Sequence, residues 1–203
     1  MTIIDLRNEL NDLIENDGFG EYELKDGFSI FDHVKDETHS FPIVDGDIFE
    51  SGADIIVHQV NCQGVMGSGV ARQVREKYPL VYHVYSKFCE LCREDGRSPL
   101  GKCLLIPSDM ASPDKQLVAN LFGQENFGYD GKCYTDYDKL REAIRMLNDY
   151  AGLLSSTIGR TVTVAIPYLM GCHRGGGDWE IVSKMIEEEL AGCDVTLYRY
   201  TGG

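Results

Sequence analysis

The chain has 203 residues, of which 43% are apolar, which suits one α/β domain, or one such domain with a small appendage, and a core of its own. A formal charge of −14 argues against a nucleic-acid partner, because tracking that backbone relies on Lys and Arg neutralising phosphates. No apolar run approaches the roughly 20 residues that span a bilayer, and Met1-Thr2-Ile3-Ile4-Asp5 lacks the basic start and sustained apolar stretch of a secretion signal, so the expectation is a cytoplasmic protein with no membrane partner.

The first 40 residues read differently from the rest. Ile3, Leu6, Leu10 and Leu13 recur at helical spacing, and Tyr22/Leu24 and Phe28/Ile30 alternate around an Asp26-Gly27 turn, which predicts a helix and then a hairpin. Residues 1–40 are therefore read as an appendage and 41–203 as the main domain.

From Phe41 onward strand and helix alternate. Ile43-Val44 and Ile55 to Val60 read as strands, and Val70 with Val74 marks a short helix stopped at Pro79. The next helix would carry Leu80, Val84, Phe88 and Leu91 on its apolar face, followed by strands at Cys103 to Pro107 and Leu117 to Phe122. Thr135-Asp136-Tyr137-Asp138 resembles a capping box opening a helix with Tyr137, Leu140, Ile144 and Leu147 on one face. Thr161 to Pro167 is the next strand, Asp178 caps a helix carrying Ile181, Met185 and Leu190, and Val195 to Tyr200 closes the sheet. The pattern predicts a three-layer α/β/α sandwich around a mixed central sheet.

Seven scattered cysteines are odd in number, unlike the even framework of a small secreted protein, so reduced thiols are expected. Cys89-Glu90-Leu91-Cys92 has metal-like spacing but no second pair, and it falls in a helical pattern; packing is the expected role, and nothing in the chain calls for a metal or a cofactor.

An acidic protein that binds an anion must hold it locally, through backbone N–H groups and helix N-termini. Two glycine-rich loops, each between a β-like run and a helix, offer this. One runs from Asn61 through Met66-Gly67-Ser68-Gly69-Val70, the other is Gly171-Cys172-His173-Arg174-Gly175-Gly176-Gly177-Asp178. Two such loops suit a diphosphate. Neither has the Gly-Lys-Ser/Thr of a phosphate-binding NTPase loop, and Gly67-Ser68-Gly69-Val70-Ala71-Arg72 lacks the third glycine of a dinucleotide fingerprint.

Gly46-Asp47-Ile48-Phe49, then Val57-His58-Gln59-Val60-Asn61 leading into Gly67-Ser68-Gly69-Val70-Ala71, and finally Ile166-Pro167 before Gly171-Cys172 resemble the macrodomain family in order and spacing, from about Phe41 to Tyr200. The resemblance implies ADP-ribose or a derivative as ligand. It places the adenine contact at Asp47, beside Ile48, the distal-ribose contact at Asn61, and the diphosphate between Met66 to Val70 and Gly171 to Gly175. Within the family, Lys77-Tyr78-Pro79, Leu100-Gly101-Lys102-Cys103 and Leu121-Phe122 look like the ADP-ribose-1''-phosphate phosphatase branch. Deacylating macrodomains use a lysine and an aspartate that align here with Gln124 and about Gly175, which speaks against a lysine-adduct mechanism.

His58 is the candidate catalytic residue, as a base toward water or as a nucleophile, since an imidazole with its ordinary pKa near 6.5 suits either; a buried, hydrogen-bonded core histidine is the alternative. His173 and Arg174 would complement phosphate charge, Gln124 would reach the distal ribose, Phe127 would cover it or the phosphate entrance unless it is a loop anchor, and Phe122 and Gly123 are counted among the ligand-binding residues. Tyr198 and Tyr200 are candidates to stack on adenine, and Asp178 is assigned to capping. The expected function is removal of phosphate from ADP-ribose-1''-phosphate. A non-catalytic ADP-ribose reader or sequestering protein, and a hydrolase removing ADP-ribose from modified macromolecules, are the competing readings.

Overall fold

The structure, a computed structural model, describes residues 41–109, 111 and 116–201; the helix and hairpin expected before Phe41 lie outside them. The strands are β1 (Ile43–Asp45), β2 (Ile55–Asn61), β3 (Cys103–Pro107), β4 (Leu117–Gln124), β5 (Thr163–Pro167) and β6 (Asp194–Arg199). They form one sheet in the order β1-β6-β5-β2-β4-β3. All neighbours are parallel except β3 and β4, which pair antiparallel with Cys103 opposite Leu121. β2, flanked by β5 and β4 with both faces covered, is buried at every position but Gln59, as its continuous Ile-Ile-Val run requires.

The helices are α1 (Gly69–Lys77), α2 (Pro79–Glu94), α3 (Tyr137–Ile158) and α4 (Trp179–Glu189). Among the described residues, no helix is long and apolar enough to cross a membrane. Alternate strand residues divide between the two faces of the sheet. Ile55, Val57, Ala119, Leu121, Val164, Ile166 and Leu197 pack with α3 and α4 side chains such as Leu140, Ile144, Leu147 and Ile186. On the opposite face Phe122 stacks on Tyr85 of α2 at 5.6 Å and meets Phe88 at 5.8 Å. Trimming the fully buried Phe122 to alanine costs about 3–5 kcal/mol. The result is the α/β/α sandwich expected.

Four local expectations are corrected. α2 buries Val81, Val84, Tyr85, Cys89 and Cys92, while Leu91 stays 39% exposed; the buried stripe is rotated because the Tyr85 hydroxyl is drawn to the Asn61 carbonyl at 2.7 Å. α3 is capped by Asp136, whose carboxylate accepts from the Lys139 N–H at 3.1 Å, and not by Thr135, whose hydroxyl is used elsewhere. Ile181 is exposed on α4, which turns Val182, Met185 and Ile186 inward. β6 does not close the sheet but lies between β1 and β5. The other ends follow local rules: Pro79 opens α2 and Gly159, at φ 73°, stops α3 in the left-handed region. Cys89 and Cys92 are buried on α2, and burial pushes the Cys89 thiol up to about 11, which fits packing.

Candidate functional site

The parallel strands point their C-terminal ends the same way. The chain leaves β2 for α1 and α2 on one face and leaves β4 and β5 for α3 and α4 on the other. Such a reversal opens a crevice beyond the strand ends. A cleft of about 460 Å³ occupies it, with Ser68 to Ala71 on one side, Pro167 to Gly171 and His173 to Gly175 on another, His58, Gln59 and Gln124 below, and Arg199 and Tyr200 at one end. A cavity of about 110 Å³ adjoins it and adds Asn61, Gly67, Phe127 and Tyr129.

Asn61 builds the first wall. Its side-chain amide donates to the Val65 carbonyl at 2.7 Å, and its Oδ1 accepts from the Gln63 N–H at 2.9 Å and from the Tyr85 hydroxyl at 3.1 Å. The loop is thereby folded so that Ser68, with φ −153° and no side-chain capping bond, leads into α1. The first-turn N–H groups have no partner within a helix, and here they front the cleft with the positive end of the helix dipole.

The second wall is pinned from the β4–α3 connection. The Tyr134 and Thr135 N–H groups donate to the Gly175 carbonyl at 2.7 and 3.0 Å, and the Thr135 hydroxyl donates to the Gly171 carbonyl at 2.7 Å. A Cβ at Gly171 would collide with the Gln59 side-chain oxygen, and one at Gly175 with the Gly171 carbonyl and the Thr135 hydroxyl. Close approach demands glycine at both positions, and at Gly171 a left-handed φ of 75° demands it as well. Leu169 adopts φ 62° in the same turn, a left-handed conformation that costs a non-glycine residue about 1 kcal/mol.

Below lie His58 and Gln59, neighbours on β2 that face opposite layers. His58, the fourth residue of the strand, is 2% exposed and stands directly opposite Asn120 on β4. Its Nε2 is 2.8 Å from Asn120 Oδ1. Because Asn120 Nδ2 donates to the Leu104 and Val118 carbonyls, Oδ1 must accept, so the proton sits on Nε2 and Nδ1 keeps its lone pair. That Nδ1 is buried without a partner. Burial pulls the imidazole down from 6.5 to about 4, although the Asn120 bond raises it, so the ring is neutral at pH 7. Gln59 Nε2 donates to Gln124 Oε1 at 2.8 Å and to Thr135 Oγ1 at 2.9 Å, tying the end of β4 to the start of α3.

Of the residues singled out in the sequence, His58, Asn61, Gly67, Ser68, Gly69, Val70, Gln124, Phe127, Gly171, His173, Arg174 and Gly175 line the cleft or the adjoining cavity. Gln124 spends its amide on Gln59 and on the Asn126 carbonyl at 2.8 Å. Met66 and Phe122 are fully buried, Ile48 packs with Ala53, Ile56 and Ala165, and Gly123 sits against Gln59 and Leu140. Cys172 is half-buried, its thiol pushed up to about 11 by burial. Asp47 caps the Phe49 N–H at 3.0 Å and pairs with Lys77 at 3.1 Å. It follows the β1 end, where the Gly46 N–H donates to the Arg199 carbonyl at 3.0 Å, and it is not among the residues lining the cleft or the adjoining cavity. Tyr198 packs beside Ile48 instead, and Asp178 caps α4 through the Glu180 N–H at 2.9 Å. Gln59, Thr135, Tyr129, Leu169 and Arg199 were not anticipated. A glutamine within an apolar strand run was a signal for the first; the rest have none.

The site combines backbone donors for an anion, a neutral imidazole with a free lone pair, and an exposed aromatic and cationic rim. In class it is a three-layer α/β domain with a ligand crevice at a sheet switch point. No protein-family model matches the chain. It is similar to the DNA ADP-ribosyl glycohydrolase of Mycobacterium bovis, 28% identical over 162 residues, covering 78% of this chain but only 42% of that protein's length. It is also similar to the ADP-ribose 1''-phosphate phosphatase of Saccharomyces cerevisiae, 28% identical over 174 residues, covering 77% of this chain and 96% of that protein. Among solved structures, the macrodomain of Thermus aquaticus DarG superposes with a TM-score of 0.59 at 26% identity, covering 79% of this chain and 97% of that one. The described domain has the macrodomain fold, and the chain resembles the macrodomain family.

Proposed function

We propose that the cleft binds ADP-ribose or a derivative and that the protein is a hydrolase removing the terminal phosphate of ADP-ribose-1''-phosphate. The observation that carries the reading is His58 at the floor of a cleft walled by a helix N-terminus and a glycine loop, a ring whose buried Nδ1 has no hydrogen-bond partner. The likeness to a phosphatase of that substrate over nearly its whole length supports it.

In this reading adenine lies toward Asp47 and Tyr200, the diphosphate between α1 and the Gly171–Gly175 turn, and the distal ribose toward Asn61, Gln124 and Phe127. His58 Nδ1 accepts a proton from a water as it attacks phosphorus, the bond from phosphorus to the ribose oxygen breaks, and the departing oxygen takes up a proton through solvent while the imidazolium gives its own back, restoring the neutral ring. A lone pair held neutral at pH 7 is available for this, and an arriving phosphate dianion raises the ring's proton affinity through its charge. Gln124 offers no amine for a covalent adduct, which supports phosphate removal over a lysine-based route.

The test is phosphate release from ADP-ribose-1''-phosphate by wild type and His58→Ala, beside calorimetry with ADP-ribose and an ADP-ribosylated protein as second substrate. Turnover should fall at least about a hundredfold in the variant, while ADP-ribose still binds. Equal turnover removes His58 from the chemistry; binding without turnover of either substrate leaves a reader. Asp47→Ala should weaken ADP-ribose binding, and no binding by wild type sinks the ligand assignment.

A further inference from the structure

Past the cleft lies a cavity of about 300 Å³, lined by Tyr129, Lys132, His173, Arg174 and three glycines, with no acidic residue in its wall. In a chain of net charge −14, most described cations are held by carboxylates: Arg72 by Glu76, Arg141 by Glu188 and Glu189, Arg160 by Asp54, Arg199 by Asp45. Arg174 is different. Among the described residues no carboxylate lies in ion-pair range of it, and its guanidinium rests 5.3 Å over the Tyr129 ring. It borders both this cavity and the cleft.

Lys132 is 2.7 Å from Asp130 Oδ2, while Asp130 Oδ1 accepts from the Tyr134 hydroxyl at 2.9 Å. One ammonium proton is thus committed and two remain to donate. Asp130, Lys132 and Arg174 together leave one positive charge, and His173 adds the nitrogens of an imidazole. A planar fork, a point charge and an imidazole around a small open cavity match a tetrahedral oxyanion.

We propose that this cavity is a second anion subsite, taking a phosphate group distinct from the diphosphate assigned to the glycine loops. The assignment extends the proposed ADP-ribose cleft but can be tested without it. The phosphate has two possible sources: orthophosphate set free in the cleft, or the phosphate of a nucleotide whose base lies on the exposed face of Tyr129.

The experiment titrates orthophosphate and, separately, uridine 5′-monophosphate into wild type, Lys132→Gln, Arg174→Gln and Tyr129→Ala, with and without saturating ADP-ribose, read by calorimetry and phosphorus NMR. Orthophosphate that binds beside ADP-ribose, and binds about tenfold more weakly in each charge variant, supports the subsite with the free anion as occupant. Binding of the nucleotide alone, lost in Tyr129→Ala, supports it with a nucleotide as occupant. Displacement of ADP-ribose by orthophosphate, binding indifferent to both charge substitutions, or no binding of either probe overturns it. If ADP-ribose fails to bind, titrations of the ligand-free protein still decide the subsite. Lys132 has 75% of its side chain exposed, so an unchanged Tm is expected in that variant.

Discussion

Replacing His58 by glutamine and following urea unfolding as the pH falls isolates a group that the fold keeps uncharged. Glutamine can still donate to Asn120 Oδ1 but cannot take up a proton. In the native protein burial holds the imidazole near 4, against 6.5 for the ordinary side chain. Between those values the unfolded chain binds the extra proton, so acid favours unfolding. The stabilisation is fully present above about pH 6.5, falls through the window, and is spent by about pH 4. The gap corresponds to about 3 kcal/mol. The other titratable groups, and the long-range effect of the acidic surface, are common to both proteins. The difference in unfolding free energy between wild type and His58→Gln should therefore shift by about 3 kcal/mol against wild type from pH 7.5 to pH 4. Parallel curves across that range would refute the reasoning, because they would mean that the folded ring takes up its proton as readily as the unfolded one.

Gly175→Ala forces a methyl against the Gly171 carbonyl and the Thr135 hydroxyl; thermal or urea unfolding should show a loss of about 1–3 kcal/mol, and a change below about 0.5 kcal/mol would show that the turn gives way freely. Asp54 joins β2 to β5 by accepting from both Arg160 guanidinium nitrogens and from the Thr163 N–H and hydroxyl, at 2.6 to 2.9 Å. The Arg160 bonds, helped by those of Thr163, draw its carboxyl down to about 2. Its stabilisation is present above 3.8 and lost as pH falls through about 2; Asp54→Asn should cost about 2 kcal/mol at pH 7, and equal stability at pH 7 would count against the cluster.

The sheet was readable because its central strands are short aliphatic runs, and the helix ends because Pro79, Gly159 and Asp178 act locally. α2 was misjudged by a rotation: Leu80-Val84-Phe88-Leu91 and Val81-Tyr85-Cys89-Cys92 have equally good helical spacing, and the choice between them depends on Tyr85 reaching Asn61 from 24 residues away. Thr135 and Asp136 could each cap α3, and the competition is decided by Gly171, brought alongside only when β5 joins the sheet. The glycine loops announced the walls of the cleft. Nothing in the sequence announced Leu169, whose left-handed backbone has no local signature, or the stacking of Arg174 on Tyr129, which needs two distant loops to meet.

The opposite orientations of His58 and Gln59 set unequal tolerances to change in chain length. A residue gained or lost within β2 exchanges the layers that the imidazole and the carboxamide enter, stranding each among the other's neighbours. The stretch between Gln124 and Thr135, exposed along most of its length, carries no such parity. Variation in length can therefore accumulate in that connection, redrawing the rim of the cleft, while the strand beneath it is confined to a single count.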